Sequence, residues 1–340
     1  MATTGRDTPG GITGAGTFGY GPGRQGALLP GIAVVTNPRS RQNRRYPAIA
    51  GQLAYLLGER GHLAQPKDRA ELVDTARRFR DRGVDIVAIN GGDGTAHVVL
   101  TAFLQAYGAD PLPRIALLRG GTMNTVASGI GVKGTPAALL GALVARYHAG
   151  EPIAEVERNV LCVPGETPQY GFLFGNGLIS NFLEVYYEGA EPSPRKAAWI
   201  LARAVWSALT QGSLFARLMR PVELEVEVDG QVWPKASYLS IGAGTVDDIG
   251  LRFRPFHLAP RHPDHVHAVG FGCTPPQLVA QLGRIWTARP ITAPGVRSVV
   301  TKRLVMRAQG PIPYMIDGDF HTGQETLTVE VGPRLRLLLP

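Results

Sequence analysis

The 340-residue chain carries 35 Lys and Arg against 27 Asp and Glu, a formal net charge of +8 and a pI near 9.7. Its 44% hydrophobic content is that of a globular protein and its length suits two domains, which excludes disordered and fibrous classes. Only Cys162 and Cys273 are present, far apart in sequence, which excludes a disulfide framework and fits a reduced, cytoplasmic protein. No apolar run approaches the roughly 20 residues that span a bilayer, and the N-terminus has no basic-then-apolar signal pattern, so any membrane contact is expected to be peripheral.

Residues 1–28 are rich in Gly and Thr and read as a flexible tail without a core. From 29 to 150 strands alternate with helices. Strands are expected at 31–35, 84–89 and 114–118, and helices at 46–61, 68–82, 96–107 and 135–149, with a short helical stretch at 125–130. That alternation predicts a parallel sheet covered on both faces. Gly150-Glu151-Pro152 marks a boundary. Over 151–340 short strand-like runs dominate, at 153–163, 170–174, 222–228, 237–241, 265–271, 296–306, 326–331 and 335–339. They predict an antiparallel sandwich or barrel. One helix, 195–211, interrupts them. Trp199, Ala202, Val205, Trp206 and Leu209 share one of its faces, expected to pack in the core or to meet a membrane surface.

The chemistry is concentrated at the strand ends. Gly91-Gly92-Asp93-Gly94-Thr95 lies between a buried strand and a helix, the arrangement that brings backbone N–H groups to a phosphate. Asp93 is the lone acid there; a carboxylate in such a turn orders the backbone, orients a hydroxyl or meets Mg²⁺. Gly120-Gly121-Thr122-Met123-Asn124 repeats the strand–turn–helix pattern, and Asn37-Pro38-Arg39-Ser40 follows the first strand. In open α/β sheets ligands bind outside the carboxyl ends of the strands, so this edge is expected to hold a nucleotide. Arg39, Arg41, Arg44 and Arg45 are candidates for phosphate contact, and Arg77 to Arg82 for a solvated helix face. The chain lacks a Gly-x-x-x-x-Gly-Lys-Ser/Thr loop, a Gly-x-Gly-x-x-Gly fingerprint after its first strand and a Gly-x-Ser-x-Gly elbow. P-loop, dehydrogenase and hydrolase chemistry are therefore disfavoured. No nucleic-acid-binding signature is present, and no nucleic-acid partner is expected. His257, His262, His265 and His267 with Asp264 form a further candidate for metal binding.

Asn37-Pro38-x-Ser40, Gly91 to Thr95, Gly121-Thr122-x-Asn124 and the acidic triplet Asp317-Gly318-Asp319, in that order, resemble the diacylglycerol kinase catalytic family. That family includes bacterial lipid kinases and the sphingosine and ceramide kinases. The resemblance implies an α/β nucleotide-binding domain with a parallel sheet plus a larger, mostly antiparallel β domain, with the active site in the cleft between them. It implies an ATP-dependent lipid kinase that uses Mg²⁺ and phosphorylates a hydroxyl of a diacylglycerol- or sphingoid-like lipid. Asn37, Ser40, Gly91, Gly92, Gly94, Thr95, Gly121, Thr122 and Asn124 are then the nucleotide-binding residues. Asp93 and Asp317 are the catalytic ones, Asp317 as general base. Asp319 is a second acid, and Asp93 and Asp319 are candidate metal contacts. The glycine between the two C-terminal acids suggests a turn that exposes both. The chain departs from the family pattern at Arg41, His97, Val98 and Thr125. An NAD kinase-like enzyme, which shares the glycine-aspartate run, and a catalytically impaired nucleotide- or lipid-binding protein are the alternative readings.

Overall fold

The computed structural model describes residues 31–58, 61–188, 193–209, 212–234 and 237–340; the tail expected over 1–28 lies outside them. Strands Ile32–Thr36 and Ile86–Asn90 are buried along their whole length, as strands of a sheet covered on both faces must be. They pair in parallel, with Val35 opposite Ile89. His62–Ala64 adds on one side and Arg114–Leu117 on the other, both parallel. Helix Arg69–Asp81 starts where the Asp68 carboxylate accepts from the Glu71 N–H at 2.9 Å, and it buries Leu72, Val73, Ala76 and Phe79. Helix Pro136–Ala149 is capped by the Thr135 hydroxyl and closed by Gly150 in the left-handed region.

The sheet does not end with this α/β unit. The strand Thr326–Leu339 pairs in parallel with Arg114–Leu117 through Leu337 and Leu338. Its earlier residues pair antiparallel with Arg303–Arg307, and Ala154–Val163 runs antiparallel along it. The runs expected at 326–331 and 335–339 are thus one strand, with an irregularity between Val331 and Arg334 where Gly332 and Pro333 fall. A second, wholly antiparallel sheet has the order Val296–Thr301, Val266–Phe271, Ile241–Gly244, Leu173–Gly175, Pro313–Ile316 and Asp319–Thr322. Val226, Leu304, Met306 and Val329 of the first sheet meet Phe174, Ile241, Ala268 and Ile316 of the second in one core. The β-rich part is therefore the sandwich that the strand pattern predicts.

Several segments differ from expectation. The run 170–174 splits at Phe172 into Gln169–Gly171 in the first sheet and Leu173–Gly175 in the second, and 296–306 splits at Lys302 in the same way. Each apolar run is long enough to serve both layers. Helix 46–61 is shorter, Ile49–Leu57, and leads into the strand His62–Ala64. Three helices join the expected one in the β-rich part: Leu178–Tyr187, Ser213–Leu218 and Pro275–Trp286. Helix Pro194–Leu209 buries Ala197, Ile200 and Ala204, while Trp199 and Trp206 are 58% and 70% exposed. Of the face expected to pack in the core or to meet a membrane surface, Trp199, Ala202 and Trp206 are exposed; the side chains of Val205 and Leu209 fall outside the described residues.

Candidate active site

The glycine-rich turns all lie at the carboxyl edge of the parallel strands, locked together by a buried polar network. Asn90 ends its strand and donates through Nδ2 to Thr36 Oγ1 at 2.8 Å and to Asn43 Oδ1 at 3.1 Å. Asn43 Nδ2 donates to the Asn37 carbonyl at 2.8 Å. Neither Asn43 nor Asn90 stood out in the sequence; the available signals were a polar residue ending an apolar strand and an asparagine in the middle of a basic segment. Ser40 Oγ donates to the Gly120 carbonyl at 2.9 Å, and Asn37 Nδ2 donates to Thr95 Oγ1 at 3.0 Å. Two predicted binding residues thus tie the first turn to the other two.

The glycines are required by packing. A side chain on Gly91 would overlap Thr95, and one on Gly121 would overlap the Gly92 backbone, so two turns meet main chain to main chain. Asn124 sits in the left-handed region at φ 50. Its Oδ1 accepts from the Gly121 N–H at 2.9 Å and its Nδ2 donates to the Gly121 carbonyl at 3.1 Å. Asn124 therefore closes its own turn.

Asp93 does not sit in the turn. It opens the helix Asp93–Tyr107, which starts three residues earlier than expected. Its carboxylate accepts from the backbone N–H groups of Thr125 at 2.9 Å and Val126 at 3.0 Å. Burial raises its pKa and those two hydrogen bonds pull it back. Thr125 and His97, two of the departures from the family pattern, are structural here. Thr125 supplies one of those N–H groups, and the buried His97 ring places Nδ1 2.7 Å from the Tyr170 carbonyl.

The C-terminal acids reach this edge on the hairpin of Pro313–Ile316 and Asp319–Thr322. Asp317 is not exposed as the glycine turn suggested; it is 4% exposed. The chain switches sheets at Phe172, which leaves the N–H groups of Phe172 and Leu173 pointing at one carboxylate. Asp317 accepts from Phe172 at 3.0 Å and from Leu173 at 2.9 Å. Burial, then the Asp93 charge, pushes its pKa well above the ordinary carboxylate range. Asp319 lies over the glycine turn: a Cβ built on Gly94 would stand 2.7 Å from Asp319 Oδ1. Burial raises the Asp319 pKa too. No described residue donates a hydrogen bond to its carboxylate.

One cavity of about 850 Å³ joins these features. Its polar end holds Asn37, Ser40, Gly92, Asp93, Gly94, Thr95, Gly121 and Thr122. Arg39, Arg41 and Arg44 line it as expected, together with Lys67 and Arg69, whereas Arg45 stacks on Tyr46 instead. Its other end is walled by Leu178, Phe182, Leu201, Leu218, Leu282 and Ile285. Asp317, Gly318 and Asp319 line the same space. Gly91 and Asn124 are not on its surface. Asn176 and Gly177 lead into the helix Leu178–Tyr187, with Asn176 Oδ1 accepting from the Ile241 N–H at 2.8 Å.

The histidine stretch does not assemble a metal site; among the described residues no group of three His, Cys, Asp or Glu is placed to hold an ion. His267 is fully buried, its Nδ1 accepts from the Leu258 N–H at 3.3 Å, and Nε2 lies 2.8 Å from Ser298 Oγ. Burial lowers its pKa to about 4, so it is a neutral core histidine.

An α/β sheet with glycine turns at its strand ends is joined to a β-sandwich, and one cavity is lined both by those turns and by apolar helices. Residues 31–151 match the diacylglycerol kinase catalytic domain. The match covers about a third of the chain. It is 42% identical over 65 residues to the lipid kinase YegS of Escherichia coli (strain K12), an alignment covering 19% of this chain and 20% of that relative. The chain thus matches about a fifth of the curated relative's length. A diacylglycerol kinase structure from Bacillus anthracis str. Sterne covers 92% of this chain with a TM-score of 0.62 at 13% identity. A second chain from the same organism gives 0.65 at 14%. At that identity the likeness is one of fold.

Proposed function

We propose that the protein is an ATP-dependent lipid kinase that transfers the γ-phosphoryl group to a hydroxyl of a diacylglycerol- or sphingoid-like lipid. The observation that carries this reading is the single cavity with phosphate-type turns at one end, an apolar wall at the other and carboxylates at the junction. Residues 29–150 serve the nucleotide and residues 151–340 supply the acceptor side, the last strand joining the two parts within the first sheet. In this reading Gly92 and Gly94 let the triphosphate approach the backbone, and Thr95, Gly121 and Thr122 line the nucleotide. Asn37, Ser40, Gly91 and Asn124 hold the turns in register. The five basic residues at the polar end offset phosphate charge.

Mg²⁺ would neutralise the triphosphate. The described residues offer no cage for it, but magnesium is commonly held by one or two carboxylates with substrate phosphates and water. Asp319, which accepts no hydrogen bond from a described residue, would be the fitting contact, and a cation there would relieve the mutual repulsion of Asp93, Asp317 and Asp319. Proton removal from the acceptor follows the same geometry. Asp317, the base expected from the sequence, has its carboxylate occupied by two N–H groups. We assign proton acceptance to Asp319, with Asp317 fixing the hairpin and Asp93 fixing the nucleotide turns.

The lipid must come from a membrane. No helix among the described residues is long and apolar enough to cross one, and Cys162 and Cys273 are free and buried, which supports a cytoplasmic protein working peripherally. The apolar wall favours a lipid over NAD as acceptor. The test is transfer from γ-labelled ATP to diacylglycerol, sphingosine, ceramide and NAD in parallel. Label in the lipid fraction supports the reading; label in NAD, or nucleotide binding without transfer to any acceptor, replaces it with one of the two alternatives.

A further inference from the structure

The positive charge of this chain is not evenly spread. Residues 192–222 contain five Lys and Arg and no Asp or Glu; residues 265–316 contain six and none. The rest of the chain holds 24 basic residues against 27 acidic ones. The whole net positive charge therefore arises in two acid-free stretches. Those stretches contain the helices Pro194–Leu209, Ser213–Leu218 and Pro275–Trp286. Each contributes to the apolar wall of the cavity, through Ala197, Leu201 and Ala204, through Leu218, and through Leu278, Leu282 and Ile285.

Their outer sides are unlike an ordinary solvated face. Ala197, Leu201 and Ala204 follow helical spacing on the cavity side, which turns Arg195, Trp199, Ala202, Arg203 and Trp206 to the opposite side. All five of those residues are exposed. The Arg203 guanidinium lies 4.5 Å from the centre of the Trp199 ring. At the end of Pro275–Trp286, Trp286 is 50% exposed and Arg252 lies 5.6 Å from its ring centre. Leu251, next to Arg252, packs against the cluster of Tyr186, Ala197 and Ile200, so the loop carrying Arg252 bridges the two helices. Tryptophan rings covered by arginine, on helices with no acid, suit the headgroup level of a bilayer. There the indole is half-buried and the cation meets lipid phosphate.

We propose that the outer faces of Pro194–Leu209 and Pro275–Trp286 dock on an anionic lipid surface, with Trp199, Trp206 and Trp286 as interfacial anchors and Arg195, Arg203 and Arg252 as headgroup contacts. The same helices then face the bilayer on one side and wall the acceptor cavity on the other, so docking brings the apolar cavity to the phase in which its ligand is dissolved. This rests on the reading of the acceptor as a lipid, but the docking face is separable from catalysis, because none of the three tryptophans lines the cavity.

The test uses the full chain and vesicles of phosphatidylcholine alone or mixed with phosphatidylglycerol, with binding read by co-sedimentation and tryptophan emission. Wild type is expected to bind the mixed vesicles, with a blue-shifted emission, and to be released in part by salt. The double variant Trp199→Ser, Trp206→Ser and, separately, Arg203→Glu are expected to weaken that binding about tenfold or more. Both should lose transfer to a vesicle-borne acceptor while keeping transfer to the same acceptor in detergent micelles. Wild-type-like vesicle binding by the variants overturns the proposal. So does equal loss of micellar activity, or a dimer in sedimentation equilibrium that the tryptophan changes dissociate. Vesicle binding that depends on these residues, with no phosphoryl transfer to any lipid, would uphold the docking face and remove the kinase reading.

Discussion

At the polar end of the cavity the chain is held by backbone against backbone; at the apolar end it is walled by side chains projecting from four helices. Gly92 and Gly121 touch through their main chains, Asn37, Asn43 and Asn90 spend their amides on neighbouring segments, and Asn124 spends its own on the turn it closes. Almost nothing there can change without moving something else. Leu178, Phe182, Leu201, Leu218 and Leu282 form a surface in which one apolar residue replaces another at little cost. In the proposed reading the first end fixes the reaction and the second selects the substrate, and mutations at the two ends have different outcomes.

The largest effect is expected where the ends meet. Asp319→Asn should lower kcat by roughly 10²–10⁴-fold through the lost proton acceptor, and raise the KM for MgATP by a smaller factor through the weakened Mg²⁺ contact. Steady-state kinetics would show it, and an unchanged kcat would move the base elsewhere. The sandwich gives the next effect. His267 is buried neutral with a pKa near 4, below its ordinary 6.5. The unfolded chain therefore binds the proton first, and stability falls as pH drops from about 6.5 toward 4, by about 3 kcal/mol in total. Denaturation at a series of pH values should show a much shallower acid-side loss in His267→Gln.

Substitutions of glycine sharpen the comparison. Gly121→Ala should cost about 1–3 kcal/mol and weaken ATP binding, since the new methyl would overlap the Gly92 main chain. Gly141→Ala, inside helix Pro136–Ala149 with its nearest neighbour 3.9 Å from the new Cβ, should instead gain roughly 0.5–1 kcal/mol. Melting temperatures of the two variants moving in the same direction would break the distinction. At the apolar end, Leu201→Trp should raise the KM for a long-chain acceptor about tenfold and leave the KM for ATP alone. Asp317 gives the smallest and most directional result. Its folded-state pKa is raised, so the folded chain holds the proton longer. Stability is lost as pH rises from the ordinary carboxylate range through the raised value. Asp317→Asn should remove that alkaline-side slope.

The same contrast decides what the sequence reveals. The glycine turns are legible because backbone approach admits almost no other residue, and the parallel strands because burial on both faces leaves an unbroken apolar run. Asp317 and Asp319 are found by their spacing around Gly318. Their unequal burial is not, because it depends on Phe172 switching sheets 145 residues earlier in the chain. The cavity helices escape detection for a similar reason. Leu178–Tyr187 and Pro275–Trp286 are apolar on a cavity side that has no periodic partner in the sequence, and helix Pro194–Leu209 displays its largest apolar residues outward. Residue size argues for the tryptophans in the core there, whereas Ala197, Ile200 and Ala204 mark the true inner face.

The central claim is that nucleotide turns and apolar wall serve one reaction in one cavity. Its most direct test is competition between the two ends. Leu201→Trp and Gly94→Val are compared with wild type for γ-labelled ATP binding and for labelled lipid product from the same acceptor. The account predicts that Gly94→Val, whose side chain would meet Asp319, loses both nucleotide affinity and product. Leu201→Trp should bind ATP normally and lose product only at low acceptor concentration. Full lipid phosphorylation by both variants, or no lipid product from wild type at any acceptor concentration, would contradict it.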